Sequence, residues 1–206
     1  MHYVNRLLVI SLLGFMAACS TPKVVTETPK TPAIDNAQKQ QPAKGAIDPK
    51  AAATYKQALN AIEQGHNELA VTVLTDMASN YPEFSGPQTN IGLIYFREGK
   101  LDKAKAAFNQ AITINPANAT AQNHLGIIHR IEGQFSEAEK FYLAAISHQP
   151  DYANAYLNLG ILYDIYLIKL NKALQQYQKF QSLQQTEDST VKKWIIGLQR
   201  RLKVSK

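Results

Sequence analysis

Prolines at positions 82, 116 and 150 are spaced by 34 residues, as are Gly65, Gly99 and Gly133, and Ala70, Ala104 and Ala138. A fixed period of this length means that one supersecondary unit is written several times in succession. Such a unit cannot bury its apolar face alone, so its copies must stack on one another. Within Ser85 to Asn118 the pattern is Ile91-Gly92, Tyr95, Gly99, Ala104, Phe108, Ala111, Pro116; Ala119 to Tyr152 repeats it as Leu125-Gly126, His129, Gly133, Ala138, Tyr142, Ala145, Pro150. Gly99 and Gly133 suit helix ends, where positive φ costs glycine least, and the prolines break the helix that follows. Each unit therefore reads as a helical hairpin. Gly92, Gly126 and Gly160 in the first helix and Ala104, Ala138 and Ala173 in the second let the helices approach, and Tyr95, Tyr163, Phe108, Tyr142 and Tyr177 fill the space between hairpins. Ser136-Glu137-Ala138-Glu139 reads as a capping box, with Asp102, Asn67 and Asn171 as caps of the equivalent helices.

These residues at this period resemble tetratricopeptide repeats. The resemblance implies an all-α solenoid of about four helix-turn-helix repeats, at 51–84, 85–118, 119–152 and 153–187, within a domain covering 51–188. The outer units depart from the pattern, as terminal repeats do. The last replaces the turn glycine with Leu167, adds one residue before Ala173 and lacks the closing proline. Its turn, Ile165-Tyr-Leu-Ile-Lys-Leu170, is apolar, which fits either contact with the next helix or an exposed interaction patch. Asp188 or Ser189 then starts a last helix over 189–206, in which Val191, Trp194, Ile195, Leu198 and Leu202 form one face that closes the solenoid.

Catalytic patterns are missing from the sequence. None of the five histidines has a carboxylate or second histidine at metal-site spacing, and there is no Gly-rich phosphate loop or GxSxG elbow. With one cysteine there is no intramolecular disulfide, redox pair or thiolate zinc site. No catalytic residue, cofactor or metal is expected, and His129, in the slot of Tyr95 and Tyr163, reads as a packed histidine.

The resemblance places partner binding on the concave surface lined by the first helices, where such proteins hold extended peptides or partner helices. Helical spacing projects Asn90, Leu93, Phe96 and Arg97 there from one repeat, Asn123, His124, Ile127 and Arg130 from the next, and Leu157, Asn158, Ile161 and Asp164 from the third. Leu59, Leu93, Ile127 and Ile161 form an apolar stripe beside amides that can bond a peptide backbone, although asparagine is also simply common at this place in such repeats. Charge offers a second surface. Residues 51–188 carry ten Lys and Arg against thirteen Asp and Glu, whereas 189–206 carry six cations and no acid. Lys192, Lys193, Arg200 and Arg201 suit anionic headgroups or an acidic partner surface, or else an ordinary solvated helix end with cations near its C-terminus. Neither nucleic acid nor a small-molecule substrate is expected.

Ahead of the repeats, Arg6 and the apolar run Leu7 to Ala18 read as a signal peptide over 1–18: twelve residues span about 18 Å, short of the ~30 Å of a bilayer core. Met16-Ala17-Ala18-Cys19 resembles the lipobox of bacterial lipoproteins, which implies acylation of Cys19, and Ser20 behind it implies sorting to the outer membrane, facing the periplasm. Residues 19–50 hold five of the nine prolines and no aromatic residue, the composition of a disordered tether. The layout is similar to the pilotin-like lipoproteins of type IV pilus assembly, whose partner is a secretin, and to NlpI-type adaptors of peptidoglycan-processing enzymes. Both imply an envelope protein as partner.

Overall fold

The computed structural model describes residues 48–204. The signal peptide, Cys19 and residues 20–47 of the tether lie outside the described residues, as do 205–206. Among the described residues the elements are all helical: α1 (Pro49–Glu63), α2 (Asn67–Asn80), α3 (Gly86–Arg97), α4 (Leu101–Ile114), α5 (Ala119–Ile131), α6 (Phe135–His148), α7 (Ala153–Ile161), α8 (Leu170–Ser182) and α9 (Ser189–Val204). Consecutive helices pair into four antiparallel hairpins, and each first helix also packs on the second helix before it. First helices touch one another across repeats, α3 with α5 and α5 with α7, so they line the inner surface. The all-α solenoid of four repeats with a closing helix follows.

The close approach within each hairpin rests on three glycines. A Cβ on Gly92, Gly126 or Gly160 would lie 2.6, 2.6 or 2.5 Å from a ring carbon of Phe108, Tyr142 or Tyr177. These three rings are 1% exposed or less. They lie over the glycine of their own hairpin, whereas the sequence placed them between hairpins; Phe108 meets the next repeat as well, stacked on His124 at 5.1 Å.

The inter-helix turns repeat too. Gly65, Gly99 and Gly133 sit at φ +76°, +72° and +76°. Behind each, a backbone N–H reaches back five residues: His66 to Ala61 O, Lys100 to Tyr95 O and Gln134 to His129 O, at 2.8 to 2.9 Å. This is the six-to-one bond of a Schellman ending. The second helices start one or two residues earlier than expected, which corrects the cap assignments. Their N-caps are His66, Lys100, Gln134 and Lys169, none with a side-chain cap bond. Asn67, Asp102, Ser136 and Asn171 lie inside the first turn, where Asp102 and Glu137 favour the positive end of the helix dipole without capping it. Side-chain caps are made by Asn118, whose Oδ1 accepts from Ala121 N at 3.0 Å, and Asp188, whose Oδ1 accepts from Thr190 N at 2.8 Å. Asp48 likewise accepts from Lys50 N, so helix α1 begins at Pro49, inside the stretch assigned to the tether.

The fourth hairpin absorbs its extra residue by widening. After α7, Leu162–Tyr166 form a π-helical turn; Leu167 N bonds Leu162 O at 3.0 Å and Lys169 N bonds Tyr163 O at 2.7 Å, one residue longer than in the other repeats. Ile168 then takes the left-handed place of the missing glycine at φ +52°, a strained conformation for a β-branched residue. Ile165 and Ile168 are each 61% exposed, so this turn is an open apolar patch.

Candidate functional site

The concave face is built by α3, α5 and α7. Not every residue projected onto it is open. Asn90 is 2% exposed; its Nδ2 donates to the Tyr55 hydroxyl at 2.6 Å and to Gly86 O at 3.0 Å. Asn123, also 2% exposed, accepts from Asn158 Nδ2 at 3.0 Å. The Tyr55–Asn90 and Asn123–Asn158 bonds each join a residue of one first helix to the residue 35 positions later in the next. These asparagines are rungs between repeats, and Asn90 and Asn123 have no amide left facing the groove. The sequence missed this because a repeat of 34 hides contacts at 35. Tyr55, pushed up to about 12 by burial, keeps its proton and stays a donor as well as an acceptor.

His124 occupies the register of Asn90 and Asn158 in the middle repeat. Its ring lies edge-on to Phe96 (5.4 Å), stacked on Phe108, with Nδ1 2.8 Å from Thr120 O. Burial lowers its pKa to about 4, so it is neutral at physiological pH and serves as packing. His129 packs flat on Phe141 at 5.1 Å, with Nδ1 against Gln134 Oε1.

Of the apolar stripe, Leu59 and Leu93 are 6% and 9% exposed and belong to the core, while Ile127, Leu157 and Ile161 are half-buried and pack against the cluster that contains Tyr142 and Tyr177. Phe96 is half-buried and Arg97 exposed. Arg130 donates from Nε to the Tyr142 hydroxyl (3.3 Å) and from Nη1 to the Tyr166 hydroxyl (3.2 Å), its guanidinium 5.5 Å from the Tyr166 ring centre. Asp164 does not offer a free carboxylate: Arg201 of α9 binds its Oδ1 at 2.7 Å. The less buried part of the face is thus apolar on α5 and α7, at Ile127, Leu157 and Ile161, with two cations, Arg97 of α3 and Arg130 of α5. One residue the projection left out belongs here. Ile131, 47% exposed, lies 34 positions from both Arg97 and Ile165, so these three share one register along the inner helices.

The basic residues of α9 separate into two groups. Lys192 pairs with Glu187 at 2.7 Å and Arg201 with Asp164, whereas Lys193 and Arg200 are exposed without an ion pair among the described residues. Among the same residues no cluster of His, Cys, Asp and Glu could hold a metal ion, and no helix is long and apolar enough to cross a membrane.

Family models agree with this architecture. A TPR repeat model matches residues 92–130, and tetratricopeptide repeat models match 118–147 and 52–83. The chain is a tetratricopeptide-repeat protein. No curated protein matches it in sequence. Similar solved structures include pilF of Pseudomonas aeruginosa, with TM-score 0.65, 18% identity and coverage of 74% of this chain and 69% of that one. Residues 41 to the end of MamA from Desulfovibrio magneticus RS-1 give TM-score 0.62 at 22% identity, covering 77% and 88%. The first TPR of Spaghetti (RPAP3), bound to the HSP90 peptide SRMEEVD, gives TM-score 0.53 at 20% identity, covering 57% and 92%. At these identities the likeness establishes the fold. The family fold supports binding of a protein partner.

Proposed function

We propose that this tetratricopeptide-repeat protein is a non-catalytic adaptor, held to the outer membrane by an acylated Cys19 and facing the periplasm, that grips an envelope protein in its concave groove. The observation that carries the reading is the half-buried apolar set of Ile127, Leu157 and Ile161 on α5 and α7, which shares its face with Arg97 of α3 and Arg130 of α5, beside asparagines already bonded between repeats. An extended peptide supplies what that set lacks: alternate side chains to bury and acidic groups for the two cations. A neighbour of the same fold carries an acidic peptide, which fits this reading. The likeness to pilF, together with the lipobox, favours a secretin of a type IV pilus as the partner.

Three measurements test this. In Cys19→Ala the protein should leave the membrane fraction for the soluble periplasm; wild-type chain already recovered there overturns the anchor. Ile127→Glu with Ile161→Glu should abolish capture of a secretin's periplasmic domain while the helical circular dichroism is kept. Capture that persists overturns the groove. In a deletion strain, loss of secretin multimers supports the pilus role, and intact multimers with misplaced peptidoglycan hydrolases would assign the chain to those enzymes instead.

A further inference from the structure

The fourth inter-helix turn departs from the other three in residue type as well as in length. Glu63-Gln64-Gly65-His66, Arg97-Glu98-Gly99-Lys100 and Ile131-Glu132-Gly133-Gln134 each carry a glutamate and a left-handed glycine. The fourth reads Ile165-Tyr166-Leu167-Ile168-Lys169, with neither. Ile168 carries two costs at once: its φ of +52° is strained for a β-branched side chain, and it is 61% exposed, as is Ile165 beside it. At that exposure, packing among the described residues offsets neither cost, which points to compensation from outside the chain.

The balance of charge changes at the same place. Residues 51–164 carry eleven acids against seven Lys and Arg, whereas 165–204 carry eight Lys and Arg against Glu187 and Asp188 alone. Both of those acids are engaged, Glu187 by Lys192 and Asp188 as the cap of α9. Helix α9 ends beside the turn: Arg201 binds Asp164 at 2.7 Å, and Leu202 shares with Ile168, Lys169 and Lys172 the wall of an open cleft of about 360 Å³. Glu139, which also reaches this end, is taken by the Tyr163 hydroxyl at 2.7 Å and by Lys169 at 3.3 Å. Lys172, its ammonium 5.3 Å from the Tyr163 ring centre, and Lys203 are exposed without an ion pair among the described residues. Val204 next to Lys203 is 89% exposed.

We propose that this end of the solenoid rests on an anionic lipid surface, with Ile165 and Ile168 entering the headgroup boundary and Lys172 and Lys203 meeting the phosphates. A bilayer takes up protruding apolar tips without a shaped recess, and its negative surface suits an end whose acids are already bonded. Isoleucine at 168 then has a use that glycine or asparagine, which would relax the backbone, could not supply. Other occupants fit less well. Residues 20–47 of this chain bring four lysines against two acids, and a second copy docked by the same end would set Lys172 and Lys203 against like charges. The contact needs neither acylation of Cys19 nor the concave groove.

The test uses the chain from position 19 onward with Cys19→Ala, which keeps every described residue and can reach lipid through neither a leader nor an acyl group. Ile165→Cys then supplies the single thiol, which carries an environment-sensitive dye. Vesicles of phosphatidylcholine with added phosphatidylglycerol should shift its emission to the blue, and lipid brominated in the acyl chain should quench it. Raised salt should weaken the shift. Lys172→Glu with Lys203→Glu should raise the lipid needed for half the shift by about thirtyfold or more, each cation near such a surface being worth about fivefold. Ile168→Asn should raise it by about tenfold while the thermal midpoint does not fall, because asparagine tolerates positive φ. The same dye on Leu69→Cys, an exposed site in the first repeat, should not shift. No shift on anionic vesicles overturns the proposal, as does an equal shift from position 69 or on pure phosphatidylcholine. A shift without lipid that grows with the chain's own concentration assigns the face to a second copy. One that needs a secretin's periplasmic domain in place of lipid assigns it to a protein, and either result overturns the proposal.

Discussion

Replacing Gly126 by alanine tests how these hairpins hold together. The new Cβ would lie 2.6 and 2.7 Å from Cε1 and Cδ1 of Tyr142, so the ring must retreat by nearly 1 Å to reach ordinary contact. It has little room: Tyr142 is 0% exposed and its hydroxyl accepts a bond from Arg130 Nε. Overpacking of this kind costs about 1–3 kcal/mol. Alanine recovers about 1 kcal/mol of helix propensity. The sum is a loss of up to about 2 kcal/mol, to which the weakened Tyr142–Arg130 bond adds about 1 kcal/mol. For a domain of this size each kcal/mol moves the midpoint by about 2–4 °C, so Gly126→Ala should melt several degrees below wild type in thermal circular dichroism. Gly197→Ala is the internal control: with nothing near its Cβ it keeps only the propensity gain and should melt higher. Pairing Gly126→Ala with Tyr142→Leu should remove the penalty, because the atoms in conflict are gone. A Gly126→Ala variant as stable as wild type refutes the reasoning.

Two other predictions concern the polar groups between repeats. Asn90→Ala leaves the buried Tyr55 hydroxyl without its partner and should cost about 1–3 kcal/mol in urea unfolding; adding Tyr55→Phe should return part of that loss. His124 is held neutral in the fold, with a pKa near 4 against about 6.5 unfolded. Below the unfolded value the unfolded chain binds the extra proton, so stability falls as pH drops from about 6.5 towards 4, by an amount on the order of 2 kcal/mol. His124→Asn, which installs the residue found at 90 and 158, should flatten that slope; an unchanged slope places the titration elsewhere.

The period of 34 made most of the fold legible because each repeated residue type had a local physical cause. Glycine at 65, 99 and 133 marked turns that need positive φ, and the prolines marked helix ends. The caps were misplaced because residues such as Asp102 and Ser136 fit a cap by type, while the Schellman ending before them had already fixed where the next helix begins. The extra residue of the fourth repeat was visible as a count. Its absorption as a π-helical turn, with Ile168 forced left-handed, depends on Leu162, Tyr163 and Tyr177 staying in the core, which is a matter of packing. The groove was half legible. Spacing placed the right helix faces inward, but exposure is decided by neighbours one repeat away: Tyr55 covers Asn90, Asn158 engages Asn123 and Arg201 takes Asp164.

Amide hydrogen exchange on the full chain, with and without a secretin's periplasmic domain, tests the account most directly. Binding in the groove predicts new protection in α5 and α7, around Ile127, Leu157 and Ile161, with α4, α6 and α8 on the outer surface unchanged. Protection confined to the outer helices, or none at saturating partner, would contradict it.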